Sequence, residues 1–382
     1  MSGYLDQIYA TLPGLHATLD ELIAPDLMFD WFQALSDTPA PSQTASCTRG
    51  LVVARRLRER GVLDPARYER DYRGTGSDLL VNGNGGARIV AHLDEISYIS
   101  AGAAGDDGWP LAAFCYSLAD GPRAARVVRW QPVEGYRVVD EGIVDGTGDR
   151  LFYRSNADAG LKPGDRVCLY SPAQLEPGGG RLTGSIDNAA GVAAALVASE
   201  VLTRHNVPFS LVLTDEEEGP AGLGSITMSI GAMRVFPVLP EAALTIVTDT
   251  HVLGEQGLAA TDGLRQSWGA SLSETSSMTR GGVTPPHLYA ALRALAAELT
   301  AAGTPVRDAE GYVPRSDDAA AQLFTRDLCL LGYPGMNRHF DRGLPATNLN
   351  DLCTLATALV FTAAAAWLGA LPTGRHRCQP GS

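Results

Sequence analysis

FSLVLTDEEEGPAGLGS, residues 209–225, runs a short apolar stretch straight into four consecutive acids, Asp215, Glu216, Glu217 and Glu218. The apolar half reads as a buried strand. Its neighbours show which kind of sheet that strand joins. From about residue 181 onward helical and strand patterns alternate: SIDNAAGVAAALVASEVLTRH (185–205) is helical, FSLVLT a strand, ALTIVTD (243–249) a strand. PPHLYAALRALAAELTAAG (285–303) is helical again, LCLLGYP (328–334) a strand, and a last apolar helix follows. Apolar strands alternating with helices predict an α/β fold, a mostly parallel (mixed) sheet sandwiched by helices. In such sheets ligands bind outside the carboxyl ends of the strands, which is where this strand delivers its acids.

The N-terminal part fits the same layer. Two helical stretches open the chain, and the turn-rich DTPAPSQTAS (37–46) leads into CTRGLVVARRLRERG (47–61), an amphipathic helix ending at Gly61. SDLLVNGNGG (77–86) and ARIVAHLDEISYIS (87–100) read as neighbouring strands joined by a Gly/Asn turn. No helical pattern or Lys follows the glycines, so they do not read as a phosphate loop. Between 101 and 180 the pattern becomes short strand-like pieces punctuated by Gly, Pro and Asp, which predicts a small all-β insertion. The expected organisation is a discontinuous catalytic α/β domain (1–100 and 181–371), a β-rich insertion (101–180) and a loose tail (372–382).

Composition excludes some partners. A formal charge of -13 over 382 residues argues against nucleic acid, whose phosphates need dense basic surface. Six scattered Cys without a CxxC pair suit reduced thiols, and the N-terminus has no secretory pattern, so a cytoplasmic location is expected. LCTLATALVFTAAAAWLGAL (352–371) carries no charge over twenty residues, but its Ala and Thr content and its isolation predict a buried helix and no membrane partner.

Other strand ends carry similar chemistry. RIVAHLD brings His92 and Asp94, ALTIVTD brings Asp249, and LCLLGYPGMNRHF brings His339 shortly after its strand; Asp187 opens the helix at 185–205. Taken singly, Asp187 could be a helix cap and the DEEE run a solvated loop. Their common placement at one sheet edge points elsewhere. Packed carboxylates stay ionised together only when cations offset them. Two His with several carboxylates suit zinc, and five ligands exceed what one catalytic zinc needs, so two metals ~3.5–4 Å apart are expected. One acid of the run would hold a metal and its neighbour would handle protons.

AHLDEI (91–96), GSIDNAAG (184–191), TDEEEGPAGLGS (214–225), IVTDT (246–250) and GYPGMNRH (332–339), in that order, resemble the di-zinc aminopeptidase clan. Within it the sequence is most similar to the glutamyl/deblocking family that includes the tetrahedral TET peptidases. The resemblance implies that Asp187 bridges two divalent ions, zinc first, with cobalt or manganese as alternatives. His92 and Asp249 would complete one metal, and Glu217 and His339 the other. It also implies that Glu216 is the general base, that Asp94 orients His92, that the Asp187–Asn188 peptide is cis, and that the chain forms homo-oligomers, dimers or dodecamers.

The sequence departs from the family pattern at Ser97, Asn188, Asp215 and around Met336–Phe340; an alternative register puts Asp341 in place of His339. Asp215, His251 and Asp317 are the candidates for substrate contact. The expected activity is therefore cleavage of a peptide or amide bond, by an aminopeptidase on short peptides. A small-molecule amidase or deacylase is the alternative, and a non-catalytic scaffold of the same fold is the third reading.

Overall fold

The computed structural model describes residues 3–61, 67–114, 121–147, 150–157, 160–220, 229–340 and 342–374. Helices α1 (Tyr4–Thr11), α2 (Leu15–Leu22), α3 (Pro25–Ser36) and α4 (Arg49–Arg60) open it. Pro25 stands at the start of α3, where its missing N–H costs nothing, and α4 ends on Gly61 in the left-handed conformation. Strands β1 (Tyr68–Glu69), β2 (Asp78–Asn82) and β3 (Ala87–His92) follow. Next come β4 (Ser97–Ser100), β5 (Trp109–Ala113), β6 (Arg123–Gln131), β7 (Gly135–Thr147), β8 (Arg150–Ser155) and β9 (Arg166–Leu169), which close into an antiparallel barrel in the order β4-β5-β8-β7-β6-β9.

After β10 (Gln174–Leu175) and β11 (Arg181–Thr183) the chain returns to the α/β layer. There it forms α5 (Ile186–Arg204), β12 (Phe209–Thr214), α6 (Ile230–Val235), β13 (Thr245–Val247), β14 (Thr250–Val252), α7 (Glu255–Ala260) and β15 (Ala270–Ser273). The last elements are α8 (Pro286–Ala301), β16 (Val306–Asp308), α9 (Asp318–Ala321), β17 (Leu328–Gly335), β18 (Ala346–Asn348) and α10 (Leu349–Trp367).

The large sheet runs β1-β2-β12-β3-β13-β17-β15-β16. Its centre, β12, β3, β13 and β17, is parallel, while β2 pairs antiparallel to β12 and β15 antiparallel to β17. This corrects the hairpin expected at 77–100. β2 and β3 are not neighbours, because β12 inserts between them, with Leu211 opposite both Leu80 and Ile89. The glycine-rich link does not turn tightly; it opens wide enough to admit the β12 entry. Gly86 lies so close to that entry that a Cβ there would sit 1.7 Å from the Pro208 carbonyl oxygen, a close approach that requires glycine.

Helices cover both faces. On one face α5, α3, α8 and α10 pack in the main core; α5 is buried nearly all round, and its alanines let the sheet, α3 and the neighbouring α10 approach closely. α6, α9 and Phe236 cover the other face. The apolar run at 352–371 is therefore a core helix: α5 and α10 are long and apolar enough to cross a membrane, and both are mostly buried inside the protein.

Candidate metal centre

The parallel centre of the sheet fixes where the chemistry gathers. In β12 and β3 Thr214 pairs with His92, and Val247 of β13 pairs with Val90 and with Leu330 of β17, so these strands end at one edge. His92 is the last residue of β3, the acids follow β12, Asp249 lies two residues past β13, and His339 follows β17. Asp187 joins them from the first turn of α5, and its peptide bond to Asn188 is cis.

At that edge His92 Nε2 lies 3.1 Å from Asp187 Oδ1, 3.5 Å from Asp249 Oδ2 and 3.9 Å from Glu217 Oε2. His339 Nε2 lies 3.0 Å from Glu218 Oε1 and 3.4 Å from Asp187 Oδ2. Donor atoms of His92, Asp187 and Asp249 fall within 4.8 Å of one another; so do those of Asp187, Glu218 and His339, and those of His92, Glu217 and Glu218. All six residues are buried. The first two groups share Asp187, the arrangement a bridging carboxylate requires.

The electrostatics are those of a site built around cations. Burial opposes the His92 charge, yet Asp249, Asp187 and Asp94 outweigh it and raise its pKa well above the usual imidazole value. His339 is pushed up to about 9, where Glu218 and Asp187 overcome burial and the adjacent Arg338. Burial first, then Glu218, Asp249 and Asp317, raise Glu217 well above the carboxylate range, against the opposing pull of His92. Burial also raises Asp187, but Arg338, His339 and His92 more than reverse it and hold the carboxyl well below that range. Imidazole nitrogens and carboxylate oxygens in overlapping buried groups are the donor set of divalent zinc, cobalt or manganese. The residues fit two such ions.

The acidic run is placed one residue later than expected. Glu216 has a left-handed backbone (φ 55°) and turns away from the cluster; its carboxylate pairs with Arg234 and accepts from Gln43 Nε2 at 3.2 Å. Glu217 and Glu218, not Glu216 and Glu217, reach the donor cluster. The reason is local: the strand ends at Thr214, and the left-handed residue breaks the alternation that fixes side-chain direction in a strand. Periodicity carries no signal past that point; only the turn sequence Gly219-Pro220 marks where the acids stop.

Asp94 sits behind this turn. Its carboxylate accepts the Glu217 N–H at 3.1 Å, the Glu218 N–H at 3.1 Å and the Ser42 hydroxyl at 2.6 Å. The His92 ring meets the Asp94 main chain rather than its carboxylate first, with Nδ1 3.1 Å from the carbonyl oxygen and 3.5 Å from Oδ1. Asp94 thus aims two acids as well as one imidazole.

The three candidates for substrate contact lie off the donor cluster. Asp215 is buried, accepting from the backbone N–H of Gln43, Ala45 and Glu216 at 2.9, 3.1 and 2.7 Å, and burial with Asp94 nearby raises its pKa well above the usual value. His251 is buried 2.8 Å from Ser271 Oγ, and burial pushes its pKa down to about 3. Asp317 is fully buried behind Glu217, bonded by the Thr214 hydroxyl, and burial pushes it up to about 7. Each is packed into the framework rather than presented to a ligand. Asp341, the alternative to His339, lies outside the described residues.

Two features escaped the sequence reading. Residues 40–45, part of the turn-rich segment, strap the acids in place through Ser42, Gln43 and the Ala45 N–H, with Gln43 itself left-handed (φ 75°). Arg338 donates from Nη1 to Asp187 Oδ2 at 2.7 Å. Nothing in the sequence distinguishes either from an ordinary loop residue.

Comparison with known proteins places this fold. It resembles the aminopeptidase APDkam598 from Desulfurococcus kamchatkensis (TM-score 0.69, 18% identity, 91% of this chain and 98% of that one). A TET aminopeptidase from a marine-sediment Thaumarchaeota archaeon gives TM-score 0.70 at 14% identity over 90% and 99% of the two chains. The Pyrococcus horikoshii TET1 peptidase gives 0.65 at 18% identity over 88% and 99%. The architecture is that of the TET aminopeptidases, barrel included. No family model matches the sequence. A curated relative, succinyl-diaminopimelate desuccinylase of Rhizorhabdus wittichii, is 32% identical over 108 residues, a stretch that spans 28% of this chain and 27% of the relative.

Proposed function

We propose that this chain is a hydrolase that cleaves a peptide or other amide bond with two divalent metal ions, zinc in the first place. The observation that carries this is the pair of donor groups sharing Asp187. His92, Asp187 and Asp249 would hold one ion, and Asp187, Glu218 and His339 the other. The ions, when bound, would supply the Lewis acidity that acidifies the attacking water and polarises the scissile carbonyl. Glu217, which also groups with His92 and Glu218, would serve as the base beside both positions rather than as a ligand. It takes the proton from the attacking water and delivers it to the leaving nitrogen. Asp94 and the 40–45 strap keep Glu217 and Glu218 aimed. Glu216, neutralised by Arg234, takes no part in the proton transfer.

The substrate class most in keeping with the fold is a short peptide cleaved at its N-terminus, since the Desulfurococcus and Thaumarchaeota neighbours are aminopeptidases. The desuccinylase match favours a second reading, removal of an acyl group from a small N-acylated amine. Rates on aminoacyl-nitroanilides against N-acylated amino acids, with and without chelator, separate the two. Activity on neither, in protein shown to carry metal, would refute the hydrolase reading.

The Pyrococcus horikoshii peptidase assembles into a tetrahedron or an octahedral shell. Exposed Trp130, Val133, Val138 and Ile143 on β6, β7 and their turn support a homo-oligomer formed through the barrel here. Cys47, Cys168, Cys329 and Cys353 are free thiols, which supports a cytoplasmic setting.

A further inference from the structure

We infer that Arg338 is a built-in cation of the second metal position, so that loading that position is a displacement of the protein's own guanidinium. The inference rests on the two-metal reading above and concerns the order and strength of loading. Arg338 Nη1 lies 2.7 Å from Asp187 Oδ2 and 2.6 Å from His339 Nε2, which is itself 3.0 Å from Glu218 Oε1. The guanidinium therefore stands among the donor atoms of Asp187, Glu218 and His339. In the other donor group His92 Nε2 lies against Asp187 Oδ1 and Asp249 Oδ2, and Arg338 meets that group at the far oxygen of the shared Asp187, Oδ2.

The contact with His339 shows why the two cations exclude each other. A guanidinium N–H attracts an imidazole nitrogen only through the nitrogen's lone pair, and a metal needs that same lone pair. If Nε2 instead carries a proton toward Glu218, two positive groups stand 2.6 Å apart. In neither state can a metal join His339 while Arg338 stays. The side chain has somewhere to go: it is 25% exposed, whereas Asp187 beneath it is 2% exposed. Without metal, the arginine offsets carboxylates that would otherwise be buried in excess. With metal, it must release Asp187. The consequence is unequal sites: the His92 position fills first, and the His339 position is weaker by the cost of breaking the Arg338–Asp187 pair.

The test uses the full chain stripped by chelator, titrated with Zn²⁺ by calorimetry and melted with and without metal, for wild type, Arg338→Gln and Arg338→Lys. Wild type should bind two ions with separate affinities. Arg338→Gln should tighten the weaker site at least tenfold, leave the tighter one within about threefold, and lower the Tm of the metal-free protein. Opposite signs in the two states are what a merely structural arginine would not give. Arg338→Lys keeps the charge on a shorter stem, so the weaker site should tighten less than in Arg338→Gln but measurably; it also carries the test if Arg338→Gln does not fold. Two wild-type sites with an unchanged or weakened second site in the variants would overturn the inference and leave the metal centre standing. No zinc binding by wild type would overturn both.

Discussion

Replacing Asp94 with Asn probes how the acids are aimed. The carboxylate has Glu217 N–H on Oδ1, and Glu218 N–H with the Ser42 hydroxyl on Oδ2. An Asn in its best orientation keeps its oxygen at the Oδ2 position and turns its NH₂ toward the Glu217 N–H. One charge-assisted hydrogen bond is lost and two become neutral. Bonds to charged groups contribute about 1.5–3 kcal/mol against about 1 for neutral ones, so the gross cost is about 2.5–7 kcal/mol. The metal-free turn can relax to escape part of that cost, and the loaded turn cannot. The part that survives relaxation should therefore appear as metal affinity lowered by about 10- to 100-fold, the range known for groups that support ligands. Competition against a zinc-chelating dye measures it without any substrate. Wild-type affinity in Asp94→Asn, with the fold intact by circular dichroism, would refute the claim that this carboxylate aims the acids.

Two further outcomes check separate parts of the account. Glu217→Gln should keep both metals and lose activity by about 10²–10⁴-fold, while Glu216→Gln keeps most of it; the reverse result in single-turnover assays would restore the earlier register. Asp351 accepts Ser267 Oγ–H and Gly269 N–H on one oxygen, its other oxygen has no partner among the described residues, and burial pushes its pKa up to about 6 from 3.8. A raised carboxyl contributes stability that is full below the unfolded pKa and lost as pH rises through the folded one, here between about 4 and 6 and at most about 3 kcal/mol. Asp351→Asn should remove that fall, seen as a flatter urea midpoint against pH, and an unchanged profile would contradict it.

The architecture was legible because its signals are periodic. Apolar runs such as FSLVLT and LCLLGYP have no polar alternative in a covered parallel sheet, and the edge where they end follows from that. What was not legible is set by contacts distant in sequence. Nothing in SDLLVNGNGG announces that residues 209–214 will slot beside it, so a local hairpin was the natural and mistaken reading. The DEEE run shows the same limit at the site: chemistry says that its acids belong at the rim, but which of them face inward depends on one left-handed residue, Glu216. Arg338 was invisible for a third reason, since an arginine beside a ligand histidine has meaning only once Asp187 is seen within its reach.

The most direct measurement is anomalous diffraction at the zinc edge from crystals grown with excess Zn²⁺. Two peaks should appear, both within bonding distance of Asp187, one also touching His92 and Asp249, the other Glu218 and His339. A protein without ordered metal at Asp187, or with zinc held by Glu216, would contradict the account.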